Sequence, residues 1–98
     1  MPVFVNGIIP LMVAYVLYNR DSENERPAAD LAKRLKDEQV QAELLDADSS
    51  RGIQMAENYE VFARPSVVLV KDDGTPIEVW QGLEGLPSPA DVAYLAHQ

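Results

Sequence analysis

The stretch "PSVVLVKDDGTPIEVWQG", residues 65–82, limits the possible folds more than any other part of the chain. Two apolar runs rich in β-branched residues flank Asp72, Asp73, Gly74 and Thr75, residue types suited to a tight reversal. The segment is therefore expected to form an antiparallel β-hairpin. Upstream, "MVAYVLYN" is nearly continuous in apolar residues and too short for a core helix, as in a strand covered on both faces. Between the two, "RPAADLAKRLKDEQ" places Ala28, Leu31, Ala32 and Leu35 at helical spacing, with Lys33, Arg34, Lys36 and Asp37 on the outer side.

The segment "VQAELLDAD" reads as a second strand. "SSRGIQMAENY" reads as a second helix, capped by Ser49 or Ser50, with Ile53 and Ala56 facing inward and Gly52 weakening its start. At the end, Ser88 as N-cap, Pro89 at the first helical position and Asp91 at the third open a helix in "LPSPADVAYLAHQ", packed by Val92, Leu95 and Ala96. The expected class is α/β. A parallel strand-helix-strand crossover is continued by an antiparallel hairpin, giving a mixed sheet flanked by helices.

Length and charge narrow the function classes. Ninety-eight residues, 47% of them apolar, suit one folded domain with a single core region. Residues 1–11 read as an N-terminal extension or edge strand, with Val3, Phe4 and Val5 available for an edge or a homodimer contact, and residues 12–98 as the domain. The formal net charge is −8, and Arg20, Arg26, Lys33, Arg34, Lys36, Arg51, Arg64 and Lys71 are scattered among acids. Nucleic acid and anionic membrane are accordingly poor partners, and a protein or peptide partner is expected. The apolar N-terminal run lacks a basic start, is broken by Asn6, Gly7 and Pro10, and falls short of the roughly 20 residues a bilayer core requires. A cytoplasmic setting is expected.

The chain has no cysteine, which removes disulfides, thiolate metal sites and thiol redox chemistry together. "DADSSRGIQMAE" spaces Asp46, Asp48, Ser50 and Glu57 like calcium ligands, but Arg51 stands where the sharp turn needs glycine, so no metal site is expected. No cofactor is indicated. Trp80, late in the second hairpin strand, is expected to pack rather than to recognise a ligand.

The segment "YEVFARPSVVLVKDDGTPIEVWQG" resembles the thioredoxin-like superfamily through Tyr59, Val61, Pro65, Ser66 in place of the usual threonine, the "VVLV" strand, Gly74 and Gly82. With the upstream strand and helix, the resemblance covers about residues 12 to 98. It implies a cis bond before Pro65, and an Arg64 backbone that pairs with an extended peptide. Matching Leu17 and Tyr18 to the strand end and Leu31 and Leu35 to the buried helix positions puts the family's CxxC cysteines at Ser22 and Glu25. The resemblance therefore implies a member without the CxxC motif and without dithiol exchange, which needs a thiolate.

The same turn, "NRDSENERPAADL", also has a structural reading. Ser22 and Glu25 fit a capping box, and the alternative is Asn24 as N-cap with Pro27 in the first turn. The candidate binding residues are Ser22, Glu23, Glu25, Arg64 and Pro65, since functional residues gather on loops held by a rigid scaffold. A catalytic Ser22 lacks a base, because the one histidine is His97 near the end of the sequence. The alternative enzyme class is a glutathione-binding or transferase-like protein without a catalytic cysteine, with Arg20, Arg26 and Arg64 holding carboxylates. Asp21, Glu23 and Glu25 oppose it by charge.

Overall fold

The computed structural model describes residues 12–98. The edge strand or dimer contact expected of residues 1–11 lies outside them. The described residues form a four-stranded sheet in the order β2-β1-β3-β4. Its strands are β1 (Met12–Tyr18), β2 (Ala42–Asp46), β3 (Ser66–Lys71) and β4 (Pro76–Gln81), and its helices are α1 (Glu25–Asp37), α2 (Ser50–Asn58) and α3 (Pro89–Ala96). β1 pairs with β2 in parallel, while β1–β3 and β3–β4 are antiparallel, as the hairpin and crossover readings anticipate. A single 3-10 turn, Leu83–Gly85, links β4 to α3.

The near-continuous apolar runs of β1 and β3 are explained by cores on both faces of the sheet. On one face, Ala14, Val16, Val67 and Leu69 meet Ala28, Leu31, Ala32 and Leu35 of α1 and Val92 and Ala93 of α3. Each of the two α1 leucines is worth about 1.5–3 kcal/mol of burial. Trp80 and Ile77 of β4 pack against the margin of this core. On the other face, Leu17, Val68 and Val70 meet Ala47, Ala56 and Val61, with Tyr15, Met55, Tyr59 and Val79 at the edge. The Tyr59 hydroxyl donates to the Gly74 carbonyl at 2.6 Å and ties the end of α2 to the hairpin turn.

Two sequence expectations for α2 are corrected. Ile53 does not face inward; it is 48% exposed, and the buried positions of this helix are Gly52 and Ala56. Gly52 is less a weak point than a close approach: a Cβ there would lie 2.1 Å from the Asp46 carbonyl oxygen. The helix is set against β2 by that missing side chain, and the rotation it imposes turns Ile53 outward. Ser49 is the N-cap, its hydroxyl accepting from the Gly52 N–H at 3.0 Å. Among the described residues, no helix is long and apolar enough to cross a membrane.

Candidate functional site

The strand register gathers the candidate residues at one end of the sheet. Leu17 of β1 pairs with Ser66 of β3, Tyr18 with Asp46 of β2, and Ser66 with Gln81 of β4. The turn after β1 and the Arg64–Pro65 pair before β3 therefore leave the sheet at the same end, which for β1 and β2 is the carboxyl end where open α/β sheets bind ligands. The Gly82 N–H donates to the Pro65 carbonyl at 2.9 Å and joins β4 to this end. The Arg64–Pro65 peptide bond is cis.

The turn is built by its own side chains, and here the capping-box expectation is corrected. Helix α1 begins at Glu25 with Asn24 at the N-cap position, and Pro27 lies in its first turn, where a missing N–H does no harm. The Asn24 side chain turns back to the strand end instead of capping, its Oδ1 accepting from the Asn19 N–H at 2.8 Å. The Ser22 hydroxyl lies 2.6 Å from the Asn19 carbonyl oxygen and 2.8 Å from Asn24 Oδ1, with one proton for the two, and it accepts from the Asn24 N–H at 3.2 Å. Glu25 reaches back one residue further than a capping box would, accepting from the Asp21 N–H at 2.7 Å. Asp21 itself takes a left-handed conformation, φ 59°, which aspartate tolerates better than most. Glu23 stays exposed.

Ser22 is thus a structural hydroxyl. His97 sits near the opposite end of α1, its Nε2 3.1 Å from the Glu38 carbonyl oxygen. The 13-residue α1 separates that end from Ser22 by roughly 20 Å at 1.5 Å per residue. Ser22 and His97 therefore do not form a serine–histidine pair.

Across from the turn, the segment 60–64 is held by a residue that sequence reasoning did not single out. Gln81 Oε1 accepts from the Phe62 N–H at 2.7 Å and from the Ala63 N–H at 3.2 Å, while its Nε2 lies 3.5 Å from the Glu60 carbonyl oxygen. A glutamine at a strand end carries no distinctive signal, and only the pairing with Ser66 brings it here. Beyond the clamp, the Arg64 backbone makes no backbone hydrogen bond among the described residues. The Arg64 Nε and the Ser66 hydroxyl are buried without a partner, although Ser66 is fully covered.

Two concavities flank this end. One, of about 460 Å³, is lined by Ser22, Glu25, Arg26, Ala29 and Asp30. The other, about 280 Å³, lies between α2 and the 61–64 segment. Arg20, one of the arginines proposed for a glutathione carboxylate, instead meets Asp46 at 3.5 Å. Asp46 Oδ1 also accepts from the Asp48 N–H at 2.9 Å, so two of the calcium-spaced residues meet in a local turn at the strand end. Among the described residues, no cluster of three or more histidine, aspartate or glutamate side chains is placed to hold a metal.

No family model and no curated protein matches the sequence. Solved structures do. A thioredoxin-fold protein from Helicobacter pylori superimposes with a TM-score of 0.65 at 17% identity, over 90% of this chain and 70% of that one. A mutant thioredoxin from Halobacterium salinarum gives 0.64 at 20% identity, over 88% and 72%. Thioredoxin from Fasciola hepatica gives 0.60 at 23%, over 74% and 69%. With its mixed sheet, its flanking helices and no cysteine anywhere in the sequence, this chain has a thioredoxin-like fold from which the CxxC motif, and with it dithiol oxidoreductase chemistry, is absent.

Proposed function

We propose that the chain is a redox-inactive, thioredoxin-like binding domain that holds an extended segment of a partner protein or peptide along Arg64 and Pro65, beside the Ser22–Glu25 turn. The observation that carries this reading is the Arg64 backbone, which is without a backbone partner among the described residues, next to Phe62 and Ala63 N–H groups that Gln81 already holds. Unpaired main-chain groups at a sheet end are the part of a fold that an extended chain can complete. Ser22 and Glu25 shape the adjoining turn, and exposed Glu23 and Asp21 give it negative charge, which favours a basic segment. The same charge disfavours glutathione, whose carboxylates would face these acids. On this reading the domain performs no catalysis of its own.

The test is an amide-shift titration with an extended peptide of alternating valine and lysine. Saturable shifts at Arg64, Ser66 and residues 21–25 are expected. A titration that moves none of them would refute the reading, and saturable shifts with reduced glutathione in its place would favour the transferase-like alternative.

A further inference from the structure

The outward rotation of α2 leaves a face that a buried helix would not have. Ile53 is 48% exposed and Phe62 is 81% exposed, on either side of the groove of about 280 Å³ lined by Ile53, Ala56, Glu57, Val61, Phe62 and Arg64. Ile53 and Glu57 are one helical turn apart on α2, so both present to the same side. An exposed phenylalanine beside an exposed isoleucine is the kind of apolar cluster that marks an interaction surface.

The polar content of the groove narrows what covers it. Of its six lining residues, one is a base and one an acid. Among the described residues, the ion pairs are Arg20 with Asp46 and Arg51 with Glu43, so Arg64 and Glu57 share the groove without pairing. The Arg64 side chain makes no hydrogen bond within the described residues, and its Nε is shut away from water. A foreign partner would have to bring an acid and a base in matching positions. A second copy brings both at once, because in a two-fold interface whatever residue i meets in j is repeated as j meeting i.

We propose that this face is where a second copy of the chain docks about a two-fold axis. Ile53 and Phe62 of the two copies form its apolar centre, and Arg64 of each copy meets Glu57 of the other. Opposite charges at the rim fix the register, while the aromatic centre excludes water. A stable interface covers about 800 Å² per partner. The six residues lining the groove are far fewer than the roughly 20–30 a side of such an interface, so a contact centred on them is a weak, concentration-dependent one. The two copies together carry twice the −8 of one chain, so the association is best measured at physiological salt, where repulsion beyond about 8 Å is screened.

Sedimentation of the full chain over a rising concentration series tests this directly. Arg64→Glu and Glu57→Arg are each expected to weaken dimerisation by about tenfold or more, and the double variant to restore it to within about threefold of the original. Thermal melts of all three variants verify that they fold. A chain that stays monomeric throughout, a dimer indifferent to the single changes, or a double variant no better than the singles overturns the proposal. So does a monomer that takes up an apolar peptide on this face instead.

Discussion

Gly52 shows how one residue sets a larger geometry. In the sequence it looks like a defect in a helix, because glycine lowers helix propensity by about 1 kcal/mol. In the fold it is the point where α2 touches the backbone at Asp46, closer than any side chain allows. Gly52→Ala is therefore expected to destabilise the protein by roughly 1–3 kcal/mol through overpacking against main chain that cannot give way. Helix propensity alone predicts a gain, so urea unfolding of this variant separates the two accounts by sign. This is also where sequence reading stopped short: the 3.6-residue pattern puts Ile53 near the buried side, but nothing in the pattern reports how close two backbones come.

At the scale of elements, helix starts were more legible than helix ends. Ser49 and Ser88 cap α2 and α3 as their residue types suggest, accepting from the N–H groups of Gly52 and Asp91. The C-termini carry no glycine signal, yet both α1 and α2 end in the same left-handed motif. Gln39 and Glu60 take φ values of 63° and 57°, and the Val40 and Val61 N–H groups donate back to the carbonyls of Leu35 and Ala56 at 2.9 and 2.8 Å. A left-handed conformation is held against the preference of both side chains. Gln39→Gly is accordingly expected to stabilise the protein by about 0.5–1 kcal/mol, seen as a melting temperature a few degrees higher. The hairpin turn adds a pH dependence. The Asp73 carboxylate accepts from the Thr75 N–H at 2.9 Å, and hydrogen bonds from Thr75 hold its pKa below the ordinary 3.8. A lowered pKa in the folded state means stabilisation that is present above the unfolded value and lost as pH falls through the folded one. The stability difference between the wild type and Asp73→Ala is expected to hold down to about pH 4 and to close below it, which unfolding curves at several pH values would show.

For the whole molecule, the strand and helix order was legible because both buried strands are apolar on both faces and α1 carries a clean stripe of Ala28, Leu31, Ala32 and Leu35. The site was legible only in part. Pro65, Arg64, Ser22 and Glu25 could be named as candidates through the resemblance described above, and the sheet register brings them to one end. The Asn19–Asn24 exchange and the Gln81 clamp could not be named, because each depends on residues brought together by the sheet register. The fold thus holds its shape at this end with amide and hydroxyl hydrogen bonds from Ser22, Asn24 and Gln81.

Trp80 is the one tryptophan in the sequence, and it sits on β4 opposite Val67, half-buried against the core shared by α1 and α3. Its indole emission is therefore a built-in optical gauge of whether the outer strand is docked, and no added dye or engineered fluorophore is needed to watch that edge come away.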